Sequence, residues 1–208
     1  MTQLQQLTAT VAISVCWGAV VLVWVIGALY NAVKGPTRDR RPSLRSMVGR
    51  ILALVVIVIV VLVVRLVPAH TWHSLRVDSP WVTFVGLAIL LVSAAFTLWA
   101  RFTLGTMWTM DAAVKKGHRL RTDGPYGVTR HPIYTGMLGM LVGSILLAGL
   151  GRSVLILVAG AVFFEVKIHE EERLMLATFP DEYAHYRRRV PQLIPGLRHG
   201  CRNEAEDE

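Results

Sequence analysis

The chain has 208 residues, 53% of them hydrophobic, with a mean hydropathy of +0.48, a formal net charge of +8 and a pI near 10.1. Its apolar residues are gathered into long blocks, which excludes an ordinary soluble domain and leaves one polytopic membrane domain as the class. The basic residues flank those blocks, where they meet anionic lipid headgroups, so the high pI does not argue for nucleic acid.

In chain order, the first block runs from Ala9 to Leu29, the second from Ile51 to Val67 and the third from Trp81 to Ala100. Each is close to the ~20 residues that cross a hydrocarbon core. The first has no preceding Lys or Arg and no small-residue cleavage site, so it reads as a retained anchor rather than a signal peptide. Cys16 lies in that block and Cys201 in the tail, which predicts neither a disulfide framework nor a metal site. His70 and His73, beside Trp72 in the loop after the second block, read as interfacial packing. Two shorter stretches follow, Ile133 to Ala148 and Ser153 to Phe164, around a Gly149-Leu150-Gly151 tip that predicts a helical hairpin. At ~1.5 Å per residue each covers roughly 18 to 25 Å, which calls for tilt or a thinned bilayer. Gly139 and Gly143, four apart, give one face on which helix backbones can approach closely.

Charge sets the expected orientation. Six Lys or Arg lie between Lys34 and Arg50, six between Arg101 and Arg130 and seven from Lys167 to Arg202, against Arg65, Arg76 and Arg152 elsewhere. By the positive-inside rule the N-terminus is outside, the two long loops are cytosolic, and five crossings bring the tail to the cytosol. The fold class expected is therefore all-α: about five transmembrane helices, the last two a short hairpin, with a cytosolic C-terminal helix and a polar loop. Residues 1–208 form a single domain in this reading, with 1–100 carrying three membrane helices, 101–195 the functional part and 196–208 a disordered tail.

Chemistry is concentrated between Lys116 and Gly136, KGHRLRTDGPYGVTRHPIYTG. Gly124-Pro125 is turn chemistry, and Pro132 suits the first position of a helix, where no backbone donor is needed. A helix starting at His131 or Pro132 presents backbone N–H groups and a positive dipole end, and Arg130 and His131 add donors, which together make an anion site. Tyr134 falls on the face of His131, and Gly136 leaves room for a ligand or another helix. Further on, if the fifth helix leaves the membrane, Glu165, His169 and Glu172 stack along one side with Glu171 about a third of a turn away. Carboxylates then face the same zone as the anion site, complementary to a ligand that carries both a carboxylate and positive charge. Without such a ligand, the same residues read as a basic interfacial helix start and a solvated acidic helix end that offsets Arg187, Arg188 and Arg189. His169 and Glu172 have the spacing of a bundle metal pair, but no second pair accompanies them.

Gly117 to Gly136 reads G-H-x-L-x-x-x-G-x-Y-x-x-x-R-H-P-x-Y-x-G; Leu104-Gly105 and Trp108 precede it, Glu171-Glu172 follow, and the tail Phe179-Pro-Asp-Glu-Tyr-Ala-His-Tyr-Arg-Arg-Arg-Val-Pro closes the series. In these motifs, spanning Leu104 to Pro195, the chain resembles the isoprenylcysteine carboxyl methyltransferase family of membrane enzymes that use S-adenosylmethionine. Pro180 stands where the family more often has Gly, which implies a local change in the turn. The resemblance implies a cytosol-facing cofactor pocket in which His118, Leu120, Gly124, Tyr126, His131 and Tyr134 hold S-adenosylmethionine, with Glu171 and Glu172 on the opposite wall and the C-terminal segment as cover. Tyr126, Tyr134 and Tyr183 offer ring faces to a sulfonium.

Methyl transfer is an in-line displacement that depends on alignment and exclusion of water. A carboxylate acceptor is already ionised at neutral pH and needs only an orienting cation, for which Arg130 is the candidate; a thiol or an amine must first lose its proton. The expected partners are the bilayer and a lipophilic or small methyl acceptor, and the sequence leaves open a carboxylate, a thiol or a phospholipid amine. A scaffold or transporter is the rival class, and it predicts polar residues at mid-membrane depth, of which the first three blocks contain almost none.

Overall fold

The computed structural model describes residues 3–34, 79–105 and 120–196, together with scattered residues between 51 and 68. The described elements are helical: α1 (Gln3–Lys34), α2 (Pro80–Leu104), α3 (Pro132–Ala148), α4 (Val154–Thr178) and α5 (Pro180–Arg189), with short 3-10 turns at Gly124–Gly127 and Gly151–Ser153. No strand element occurs among the described residues. The described residues of the second apolar block are also helical, but the bounds of that block, the loops on either side of it, the lead-in at Trp108, His118 and the tail from 197 lie outside the described residues.

Among the described residues two helices are long and apolar enough to cross a membrane, α1 over Gln3–Tyr30 and α2 over Pro80–Leu104, while α3 is a shorter apolar helix. The expected count of five crossings therefore has two clear spans behind it. Val15, Leu22, Ile26 and Leu29 on α1, and Trp81, Phe84, Val92 and Phe102 on α2, are exposed large apolar side chains, which water solvates poorly. Lipid facing these side chains removes that difficulty.

Pro80 and Pro132 occupy the first turns of α2 and α3, where a missing N–H costs nothing. At the far end of α3 the chain reverses as predicted: Gly149 (φ 85°), Leu150 (φ 61°) and Gly151 (φ 69°) are all left-handed. The Leu150 N–H returns to the Ile145 carbonyl at 2.9 Å and closes the helix end. Glycine suits two of these positions because it carries no Cβ to strain there.

α3 lies along α2 on a seam of small residues. A Cβ on Gly143 would sit 2.6 Å from the Leu90 amide nitrogen, one on Gly139 2.2 Å from Ser93 Oγ, and one on Gly136 2.0 Å from Thr97 Oγ1. The partner that Gly136 admits is thus another helix. α1 completes the core: Ala9, Cys16 and Val20 cluster with Leu90, Ala94, Met140 and Leu147, and the Trp17 indole donates to Ser144 Oγ at 3.1 Å.

Arg101, grouped by sequence with the cytosolic charges, is only 5% exposed. Its guanidinium fills the notch left by Gly27, lies 5.9 Å from the Trp24 ring centroid and donates to the Gly105 carbonyl at 3.1 Å. A long side chain at a helix end can reach a polar boundary in this way while its stem stays among apolar groups.

Candidate active site

Three segments converge beyond the last turn of α2. The first is the polar loop, folded on itself at Gly124 (φ 58°), where a Cβ would meet the Trp99 ring at 3.5 Å. Its 3-10 turn is closed by the Tyr126 N–H on the Asp123 carbonyl and by the Val128 and Thr129 N–H groups on the Pro125 carbonyl, each at 3.1 Å. The second is the start of α3, with His131 at the N-cap and Pro132 as the first helical residue, as the sequence predicts. The third comprises the C-terminal half of α4, α5 and the strap 190–193 that follows.

The strap runs beside the helix start. Arg130 N–H donates to the Pro191 carbonyl at 2.8 Å, His131 N–H to the Gln192 carbonyl at 3.2 Å and the Thr135 hydroxyl to the Leu193 carbonyl at 2.7 Å. α5 holds the polar loop from its other side: Tyr186 OH donates to the Tyr126 carbonyl at 2.6 Å, inside the protein.

Within this frame the expected residues meet. Arg130 Nε donates to Glu172 Oε1 at 2.9 Å and a second guanidinium nitrogen lies 2.8 Å from the same oxygen, with both side chains largely buried. The remaining guanidinium nitrogen donates to the carbonyls of Val190 (2.7 Å) and Arg187 (3.2 Å). His131 stands between two carboxylates, Nε2 at 3.3 Å from Glu172 and Nδ1 at 3.5 Å from Glu171. Tyr134 OH donates to Glu171, and the Tyr134 ring stacks on His131 at 5.9 Å and on Phe164 at 5.0 Å.

Two differences from the sequence reading stand out. The anion site expected at the helix start is filled by the chain's own Glu172, which pairs with Arg130 where both side chains are largely buried. Nor do Glu165, His169 and Glu172 act as one stripe: His169 and Glu165 pair outward at 3.3 Å on the exposed side, whereas Glu172 turns inward to Arg130. That outward pairing removes His169 from Glu172.

Burial and charge oppose each other here. Burial disfavours a charged His131, but hydrogen bonds to Glu171 and Glu172 and their negative charge outweigh it and hold the imidazole above its usual 6.5. Burial likewise disfavours the Glu172 carboxylate, yet the bonds from His131 and Arg130 bring it down to about 2. Tyr126, Tyr183 and Tyr186 are pushed up, chiefly by burial, and stay neutral phenols.

Of the remaining candidates, Tyr183 is buried beside Tyr186, their ring centroids 5.8 Å apart. Gly124 lies in the turn and Leu120 is half-buried where the described loop begins, while His118 lies outside the described residues. Sequence reasoning passed over Tyr186 and Thr135. The Tyr-x-x-Tyr spacing of the tail was the available signal for Tyr186, since a buried phenol needs a hydrogen-bond partner.

The isoprenylcysteine carboxyl methyltransferase (ICMT) family model matches residues 85–177. The cobalt-zinc-cadmium resistance protein CzcN of Cupriavidus metallidurans is 33% identical over 129 residues, 60% of this chain and 56% of that protein. Protein-S-isoprenylcysteine O-methyltransferase B of Arabidopsis thaliana is 29% identical over 55% of this chain and 60% of its own length. The protein-S-isoprenylcysteine O-methyltransferase of Schizosaccharomyces pombe is 40% identical over 83 residues, 38% of this chain and 34% of its own length. The chain thus spans about a third to three-fifths of the length of these relatives. In fold it is similar to the eukaryotic intramembrane Ras methyltransferase ICMT, with a TM-score of 0.51 at 21% identity over 76% of this chain and 55% of that one.

Proposed function

From the match of residues 85–177 to the isoprenylcysteine carboxyl methyltransferase family model, we propose that this protein is a membrane-embedded methyltransferase that moves a methyl group from S-adenosylmethionine to a carboxylate or thiol of a lipophilic or small acceptor. The strongest support is the convergence of the His131-Pro-x-Tyr134 helix start with Glu171 and Glu172, residues 41 and 37 positions apart that share direct hydrogen bonds.

The donor set fits the cofactor. His131 and the start of α3 would receive a carboxylate only in exchange for the Glu172 contact that now fills the place; Glu171 would receive an ammonium or hydroxyls; Tyr126, Tyr134 and Tyr183, all neutral, would face a cation with their rings. His118, Leu120 and Gly124 would complete the loop side of the pocket. S-adenosylmethionine supplies an electrophilic methyl on a sulfonium, so the chain's own residues have only to bind, orient and exclude water. Tyr186, Thr135 and the strap bonds would hold loop, helix start and cover together.

Arg130 would orient an acceptor carboxylate by exchanging part of its pairing with Glu172 for the acceptor. A thiol acceptor would gain from the same cation, which favours thiolate. The apolar outer surfaces of α1 and α2 support an acceptor that arrives from the bilayer.

Calorimetric titration of the detergent-solubilised protein with S-adenosylmethionine and S-adenosylhomocysteine tests this, alongside a His131→Ala, Glu172→Ala variant. Saturable binding that the variant loses is the expected result. A folded wild type that binds neither would overturn the proposal.

A further inference from the structure

Glu170 is the carboxylate of α4 that the cluster leaves unused. Glu171 accepts from Tyr134 and faces His131, and Glu172 is held by Arg130 and His131. Both carboxylate oxygens of Glu170 are buried, and neither meets a hydrogen-bond partner among the described residues. Glu170 directly precedes Glu171 on α4, whose carboxylate accepts from Tyr134, so its backbone lies at the corner of the molecule where the candidate cofactor tyrosines gather.

A carboxylate whose oxygens are cut off from water and given no donor destabilises the folded protein, and native structures rarely keep such a group without a reason. The reason here is a ligand. We propose that Glu170 is a ligand-binding residue that accepts hydrogen bonds from a donor-bearing part of the cofactor, its α-ammonium or its ribose hydroxyls; the assignment rests on the function proposed above. A purely structural role is the opposite case. It would have given Glu170 a partner within the fold, as it gave Glu172 one.

The two roles differ in the ligand-free protein. If Glu170 awaits a ligand, replacing its carboxylate relieves an unpartnered burial and weakens binding together; if it is structural, replacing it lowers stability. Full-length Glu170→Gln and Glu170→Leu are therefore compared with wild type by thermal melting without ligand. Calorimetric affinity is measured for S-adenosylhomocysteine and for 5′-methylthioadenosine, which keeps adenine and ribose but lacks the amino-acid portion.

The ligand-free melting temperature should hold or rise by about 2–4 °C, while S-adenosylhomocysteine affinity falls about ten- to a hundredfold. A loss confined to S-adenosylhomocysteine assigns the ammonium, and an equal loss for both compounds assigns the ribose hydroxyls. Affinities within about twofold of wild type, or a melting temperature that falls in step with affinity, overturn the inference alone. No binding of either compound by folded wild type overturns it along with the function it rests on.

Discussion

Arg130, His131 and Glu172 form a knot in which each charge is buried against another. Truncating one partner of such a group leaves the others without compensation, at a cost of about 3–5 kcal/mol. Glu172→Ala should therefore lose about 3 kcal/mol in equilibrium unfolding, the low end of that range, because Arg130 keeps the Arg187 and Val190 carbonyls. The knot also sets a pH window. Glu172 is depressed from 4.5 to about 2, so its contribution is complete above 4.5 and is lost as pH falls toward 2. His131 is raised above 6.5, so its contribution is complete below 6.5 and is lost as pH rises through its folded value. The melting-temperature gap between wild type and Glu172→Gln should be widest between 4.5 and 6.5 and narrow on both sides. A gap that is flat across a pH series would show that the carboxylate is not held in this way.

Among the elements, the α2–α3 seam separates glycines that can change from glycines that cannot. Gly143→Ala would drive a methyl against the Leu90 amide nitrogen and the Gly86 carbonyl, both backbone atoms, whereas Gly139→Ala meets the Ser93 Oγ, which can rotate away, and the Ser93 Cβ at 3.0 Å, a milder crowding. The first should cost about 1–3 kcal/mol and the second less than about 1 kcal/mol. Gly18, with nothing within 4 Å of a Cβ, is the control, and Ala there should be neutral or slightly stabilising. Thermal melts of the three variants in one detergent rank them. At the other end of the fold, Tyr186→Phe strips the Tyr126 carbonyl of its buried donor, at a cost of about 1–3 kcal/mol. It should loosen the polar loop without removing any group proposed to touch the cofactor. Weaker S-adenosylhomocysteine binding with intact helicity is the expected reading, and unchanged binding would show that α5 does not position the loop.

For the whole molecule, the distribution of 19 Lys and Arg on one set of loops against 3 on the other predicts an outside N-terminus and a cytosolic C-terminus. Reporter fusions at the two ends should report opposite sides of the membrane. Reports from the same side would mean an even number of crossings, and the hairpin of α3 and α4 would be the first segment to reconsider.

Much of this architecture is legible along the chain because lipid and backbone chemistry act locally. Apolar runs of spanning length, Pro132 at a helix start and Gly149-Leu150-Gly151 at a reversal each follow from a few neighbouring residues. The convergence of His131, Tyr134, Glu171 and Glu172 was foreseeable from motif order, since a hairpin must return α4 to the side where α3 began. Pairing was not. Whether Arg130 stays open to an anion or closes on Glu172 depends on how tightly α5 and the strap 190–193 exclude water, and which of three consecutive glutamates keeps unused oxygens depends on a rotation of α4 against its neighbours. Composition and spacing set which charges are present and at which helix ends they lie, but only packing in three dimensions decides which of them are satisfied, because a charge finds its partner through space and through the loss of its water.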